Sequence, residues 1–231
     1  MSNENTVKQD PTHVFRTFLK NKGLRNTPQR QRIMEVFFTE NGCVSTHTKG
    51  AQTMPETFDE KSVYRYLHTP DLHITVLSEV TSTNTLLAQE AQKGAPEGTV
   101  LAAHCQSGGR GRLGRSFSSP KDGGLYFTLL LRPSFAPADA ARLTPACAVA
   151  MARAIENTCA VSPQIKWVND LYLHNRKICG ILTEATPDKY GQKLDYVLIG
   201  IGTNIYPADE SLPAELAAKA GTIFPAKPEI D

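Results

Sequence analysis

Residues 106 to 115 read Gln-Ser-Gly-Gly-Arg-Gly-Arg-Leu-Gly-Arg, with four glycines, three arginines and no acid. Glycine lets backbone N–H groups approach an anion closely, and an arginine fork binds two phosphate or carboxylate oxygens at once. The segment has the chemistry of an anion-binding loop, although a flexible basic loop or one touching nucleic acid has the same composition. No Gly-Lys-Ser/Thr follows it and its glycine spacing is not that of a dinucleotide fingerprint, so a conventional phosphate loop is not expected. Three other segments carry side chains able to meet a substrate: Ser82-Thr83-Asn84, Lys166-Trp-Val-Asn-Asp170 and Lys177-Ile-Cys-Gly-Ile-Leu-Thr-Glu184. Each has an ordinary alternative. Ser82 and Thr83 are good helix caps, and Asn169 and Asp170 suit a turn. Gly180 inside a strand pattern marks a bulge or a close approach, and Lys177 alternates with apolar residues as an exposed edge charge would. Trp167, the single tryptophan, fits a core position beside a sheet as well as a ligand contact.

The elements that would position these groups alternate between period 2 and period 3.6. Strands are predicted over 74–80, 99–105, 124–132, 164–167, 171–173, 177–184 and 197–205, with a helix over 83–93 stopped by Gly94 and a long Ala-rich helix over 137–158. The anion loop lies between two of these strands. Strands that occur both in hairpins and separated by helices predict an α+β domain on a mixed β-sheet flanked by helices. Ahead of it, Val14, Phe15, Phe18 and Leu19 recur at helical spacing before Gly23, and Thr27-Pro28 opens a second short helix. From 41 to 59 the pattern dissolves into Gly, Ser, Thr and Pro, which reads as a linker. The expected division is a small helical segment with its linker over 1–54 and the main domain over 55–231.

Forty per cent of the 231 residues are hydrophobic and the formal net charge is +2, which describes a globular chain without a global polyanionic partner. Five widely spaced cysteines without a Cys-x-x-Cys pair argue against a disulfide framework or a zinc site, so no resident metal site is expected and the thiols are read as reduced and buried. The polar N-terminus and the absence of any run near the roughly 20 apolar residues that span a bilayer lead to the expectation of a cytoplasmic protein with no membrane partner.

In order, the Glu-Val-x-Ser-Thr-Asn junction, the Gln-x-x-Gly-Arg-Gly-Arg-x-Gly-Arg loop, Lys-Trp-x-Asn-Asp, Lys-x-x-Gly-Ile-Leu and Ile-Gly-x-Asn204 resemble the biotin-protein ligases over residues 75 to 206. Lipoate-protein ligases share that fold but are not expected to carry the doubled Gly-Arg loop. The resemblance implies a class II synthetase-like fold and an ATP-dependent enzyme that makes biotinyl-5'-adenylate and passes biotin to a lysine of a biotin carboxyl carrier protein, an acetyl-CoA carboxylase subunit. It implies ATP and Mg²⁺ as cofactors with biotin as substrate, and it admits a homodimer. By that resemblance Ser82, Thr83 and Gln106 bind the biotin ring, Gly109 and Gly180 allow backbone approach, and Arg110 closes the loop. Arg112 grips the adenylate, Lys177 meets the activated carboxylate, and Arg115, Asn169 and Asn204 serve the nucleotide. Arg112 and Lys177 carry the catalysis.

Two apolar positions depart from the family pattern: Phe117 stands where tryptophan is frequent, and Val168 where proline is. Family members usually continue past the segment that ends here at Phe224 through another helix and a small β-barrel, so a fragment that binds biotin without full turnover is the alternative to a working ligase. Residues 11 to 40 resemble the opening helices of ferric uptake regulators, and 62–67 resemble either that family's recognition helix or the helix preceding the first ligase strand. Without a good intervening helix or a His/Cys cluster, DNA is disfavoured as a partner, and a ligase-like transcriptional regulator is the lesser reading.

Overall fold

The computed structural model describes residues 58–67, 71–208 and 214–227. The short helices expected before residue 40, the linker up to 57 and the boundary at 54/55 lie outside the described residues. The first described element is helix α1, Glu60–Tyr66. Asp59 caps it by accepting from the Ser62 N–H at 2.8 Å, while the Ser62 hydroxyl accepts from the Asp59 N–H at 3.0 Å, a reciprocal box that satisfies two orphan donors. It precedes strand β1, His73–Leu77, and lies along that strand's outer edge. There the Tyr64 hydroxyl accepts from Ile74 N–H at 2.9 Å and donates to the Leu72 carbonyl at 3.0 Å, and the Glu60 carboxylate accepts from Val76 N–H at 3.2 Å.

The remaining strands are β2 (Thr99–Ala103), β3 (Gly124–Leu131), β4 (Gln164–Lys166), β5 (Asp170–Leu173), β6 (Arg176–Pro187) and β7 (Leu194–Asn204). They form one seven-stranded sheet in the order β1-β2-β3-β7-β6-β5-β4. β1 and β2 are parallel, joined through helix α2 (Thr83–Gln92), and every other pairing is antiparallel. The expected α+β mixed sheet is thus present.

The alternation of β7 assigns its two faces. Val197, Ile199 and Ile201 point to the larger core, where Cys147, Ala148, Met151 and Ile155 of helix α3 (Leu143–Cys159) cover them together with Ile178 and Ile181 of β6. Tyr196 and Leu198 point the other way, into a smaller core under α2 with Leu87, Ala91, Leu101 and Leu130. Burying a side chain of this size contributes about 1.5–3 kcal/mol relative to exposure, so both helices are fixed to the sheet by their apolar stripes. The next two residues on the second face are Gly200 and Gly202, so near the N-terminus of α2 and past it the strand itself puts no side chain on that face.

Several expected features differ, and β1 and β2 end at Leu77 and Ala103, short of the expected 80 and 105. The 137–158 helix is divided into a 3₁₀ stretch, Pro137–Arg142, and α3. Pro145 explains the division: it has no N–H for an α-type bond to residue 141, but it is tolerated in the first turn of a helix that begins at Leu143. Strand β6 runs to Pro187 and β7 starts at Leu194, longer than the apolar spans 177–184 and 197–205, because their pairing continues to Pro187↔Leu194. Trp167 is 79% exposed rather than part of the core, since it follows the edge strand β4, all three residues of which are exposed.

Among the described residues no helix is long and apolar enough to cross a membrane. Cys105, Cys147, Cys159 and Cys179 are free thiols, with Cys147 and Cys179 fully buried and Cys105 and Cys159 partly exposed. Burial pushes the Cys147 and Cys179 thiols up to about 12, although a hydrogen bond from the Thr203 hydroxyl and the nearby Lys177 charge act against this at Cys179. Both therefore stay protonated well above the ordinary thiol range and become thiolates only as pH approaches 12. Alkylation of the native protein near pH ~8.5 should leave these two unmodified in a peptide map, and unfolding should expose them. Labelling in the native state at the rate of a free thiol would show that this core is not closed.

Candidate active site

The site forms where the glycine-bearing face of β6 and β7 meets the start of α2 and the Gly-Arg loop. Gly180 is register partner of Gly202. A Cβ on Gly202 would collide with the Phe117 ring, and one on Gly200 would collide with the Asn84 amide. Only glycine leaves room for both, so these positions shape the floor of the hollow. Phe117 packs across it, edge-on to Tyr126 and with Lys177 Nζ 5.8 Å from its ring centre.

One wall is the first turn of α2. Ser82 is the N-cap and its hydroxyl accepts from Thr85 N–H at 3.4 Å. Thr83 meets Gln106 twice: its backbone N–H donates to Gln106 Oε1 at 2.9 Å and its hydroxyl donates to the same oxygen at 3.1 Å. The Gln106 amide in turn donates to Ser119 Oγ at 2.8 Å. Beneath them Thr128, fully buried on β3, donates to Asn84 Oδ1 at 2.6 Å and lies 2.8 Å from Thr83 Oγ1. Asn84 Nδ2 donates to Glu184 at 2.9 Å. Buried polar groups linked this way hold one geometry, because breaking a link leaves a desolvated group unpaired.

The opposite rim is cationic. Arg110 donates both arms of its fork to Glu184, at 2.7 and 3.1 Å. Arg112 Nη1 donates to Asn169 Oδ1 at 3.0 Å, and the Asn169 amide donates to Asp170 Oδ1 at 2.9 Å. Lys177 forms an ion pair with Asp170 at 2.7 Å. Its main chain is clamped as well: Lys177 N–H donates to the Lys219 carbonyl at 2.9 Å, and Gly221 N–H donates to the Lys177 carbonyl at 2.8 Å. Lys177 is thus a part-buried, positioned ammonium rather than a loose edge charge.

Of the residues singled out in the sequence, Ser82, Thr83, Gln106, Arg110, Arg112, Asn169, Lys177 and Gly180 line this one hollow. Three do not. Gly109 is buried behind Gln106, where a Cβ would run into the Phe117 carbonyl. Arg115 is exposed at the loop's end and contributes backbone, its carbonyl accepting from Gly111 N–H at 2.7 Å. Asn204 sits at the end of β7 and donates its amide to the Gly221 carbonyl at 3.0 Å. Two polar residues reached the site without being singled out. Asn84 looked like one more residue of a capped helix start, and Glu184 looked like a polar position at the end of an alternating strand. Neither carries a local signal in the sequence, because the partners that place them lie far along the chain.

A mixed sheet of this connectivity, with an arginine- and lysine-rimmed hollow over glycine strands, defines a class II synthetase-like α+β protein able to hold an anionic ligand. Residues 76–204 match the model of the biotin/lipoate A/B protein ligase family, and the chain belongs to that family. It is 33% identical over 157 residues to the bifunctional ligase/repressor BirA of Bacillus spizizenii, covering 68% of this chain and 48% of that protein. It is 36% identical over 149 residues to the biotin–acetyl-CoA-carboxylase ligase of Paracoccus denitrificans, covering 62% and 59%. Among solved structures, the biotin protein ligase of Aquifex aeolicus in complex with biotin and ATP superposes with a TM-score of 0.52 at 33% identity, over 65% of this chain and 59% of that one. The chain spans about half the length of the first of these curated relatives.

Proposed function

We propose that this protein activates biotin with ATP and transfers it from biotinyl-5'-adenylate to a lysine of a biotin carboxyl carrier protein. The observation that carries this reading is the single hollow in which Thr83 and Gln106 present a neutral, fixed hydrogen-bonding wall and Lys177 and Arg112 present charge at the opposite rim. A ligand with a polar ring at one end and a carboxylate at the other suits that division. The Aquifex relative, whose complex holds both biotin and ATP, supports it.

In the first step a biotin carboxylate oxygen attacks the α-phosphorus of ATP, an acyl–phosphate bond forms, and pyrophosphate leaves. Two anionic groups must approach, so fixed positive charge at the junction lowers the barrier. Lys177 is placed for that by its clamped backbone and by Asp170, and Arg112, oriented by Asn169, takes the phosphate. In the second step the acceptor amine attacks the acyl carbon, AMP leaves with the bonding electrons, and the nitrogen loses a proton. Phe117 and the Gly-Arg loop cover the mixed anhydride against water. Gly180 supplies close backbone approach, Gly109 lets the loop pack behind Gln106, and Ser82 holds the first turn of α2. Arg115 and Asn204 act from outside the hollow, on the far part of the nucleotide or on the segments that hold it. Mg²⁺ held with ATP would add positive charge at the phosphates beside Arg112 and Lys177. DNA is left out of this proposal: residues 11–40 lie outside those described, and 62–67 fall in α1 and its C-cap, bonded along the edge of β1.

Incubation with labelled biotin, ATP and a carboxyl carrier domain tests the whole sequence. Label on the carrier lysine is expected. Label released as biotinyl adenylate without transfer would confine the activity to the first step, and no adenylate at all would sink the proposal.

A further inference from the structure

Lys177 does not stand on the face that strand alternation would give it. On β6, Cys179 and Ile181 belong to the larger core under α3, while Gly180 faces the hollow. Unbroken alternation would send Lys177 to the core face with Cys179. A bulge prevents this. Leu171 pairs with Cys179 but the next residue, Tyr172, pairs with Lys177, so Ile178 is an extra residue in β6. Ile178 and Cys179 both enter the core, and Lys177 turns into the hollow, where Asp170 meets it at 2.7 Å.

A bulge is also where a ladder is locally disrupted, and β7 gives no support there, because its register with β6 begins at Cys179. The missing neighbour is supplied by residues 219–223, which follow the short helix α4, Ala214–Ala217. Ala220 forms a parallel bridge with Lys177, built from the two main-chain bonds that Lys177 makes to Lys219 and Gly221. The same segment is tied to the end of β7. The Asn204 amide donates to the Gly221 carbonyl at 3.0 Å, Ile223 N–H donates to the Asn204 carbonyl at 3.1 Å, and Ile223 is buried in the larger core. Gly221 permits the close approach: a Cβ there would stand 2.5 Å from the Arg176 Cβ, which is fixed to the backbone and has no freedom to give way.

We propose that residues 219–223 are a strap that holds the bulge of β6, and that Gly221 and Asn204 are positioning residues acting on the reaction through Lys177. The strap fixes the face on which the ammonium stands. Without it the start of β6 is held by β5 alone and is free to slip into unbulged pairing, which would carry the charge out of the hollow. The effect on adenylate formation rests on the function proposed above, whereas the placement of the ammonium does not.

The NMR signal of the Lys177 ammonium protons, measured on the full chain without ligand and assigned by its absence from Lys177→Gln, reads this placement, since the charge-assisted bond to Asp170 slows their exchange with water. Gly221→Ala should erase the signal and slow single-turnover adenylate formation by about tenfold to a hundredfold, the order that a small misplacement of a reacting group implies. Biotin affinity should be kept, because Thr83 and Gln106 are untouched. Asn204→Ala loosens the same strap without adding an atom and should erase the signal even if Gly221→Ala folds poorly. Arg176→Gly alone should match the wild type. Combined with Gly221→Ala it removes the carbon that the new methyl would meet, and should recover both signal and rate, which a general loss of stability would not allow. Absence of the signal from the wild type, its persistence in both strap variants, or its failure to return in the combined variant would each overturn the strap. A signal that vanishes while the rate is unchanged would overturn its action on the reaction. A signal that responds as expected in a protein that forms no adenylate would support the strap while sinking the proposed function.

Discussion

Replacing Lys177 by glutamine is expected to slow the single-turnover formation of adenylate by about 10²-fold or more, comparable to removing one preorganised donor. Biotin affinity should change far less. The carboxylate of free biotin is well solvated by water, whereas negative charge accumulates between carboxylate and α-phosphate only as they join, so a fixed ammonium acts mainly on the transition state. The structure sharpens the expectation. The backbone of Lys177 is held by the Lys219 carbonyl and the Gly221 N–H, so the variant changes the charge and not the strand. Asp170, which pairs with Lys177 at 2.7 Å, loses its partner in the variant and becomes an uncompensated negative charge at the junction, which adds to the effect. Rapid-quench measurement of adenylate at saturating biotin and ATP checks this. A variant that keeps the wild-type rate but binds biotin poorly would make Lys177 a ground-state anchor.

Gly202→Val should abolish binding by a different route. The Phe117 ring occupies the space that a side chain at 202 would need, and Tyr126 and Lys177 hem the ring in. The ring must therefore move into the hollow. Overpacking of this kind costs roughly 1–3 kcal/mol, and the displaced ring fills space that a ligand requires, so biotin affinity should fall on the order of 10²-fold or beyond measurement. The larger core on the opposite face, under α3, is untouched, so thermal unfolding should remain cooperative with a modest loss of stability. Calorimetric titration that finds unchanged affinity in a folded variant would place the ligand elsewhere.

The sequence made most of this legible where local chemistry and local geometry agree. The Gly-Arg loop, the capped start of α2 and the β7 strand were recognisable because each is a short motif whose residue types state their own backbone requirement. The hollow could be anticipated from Leu198-Ile-Gly-Ile-Gly202, in which glycines replace side chains on one face only. Other features depended on partners far along the chain. Nothing near Glu184 announces that its carboxylate meets Arg110, 74 residues away, and Asn84, 100 residues away. Asn204 is a motif residue, but its amide is used on Gly221, in a segment whose pattern predicted no element at all. Trp167 was the reverse case, a large apolar residue whose exposure follows from its place after an edge strand. The split before α3 turned on Pro145 alone, which an Ala-rich helical pattern concealed.

The helix that precedes the sheet has a practical consequence. Along the outer side of β1, two backbone donors that another strand would ordinarily claim are bonded instead to a phenol and a carboxylate of α1, through Tyr64 and Glu60. That margin of the sheet is insulated by side chains and offers no free ladder to a passing chain. Trimming the protein to begin after Leu67 would keep every residue of the hollow, yet it would bare Ile74 and Val76 N–H as sticky ends. Such a trimmed form would trade a simpler molecule for one prone to self-association, and residues 58–67 are best regarded as the hem of the sheet.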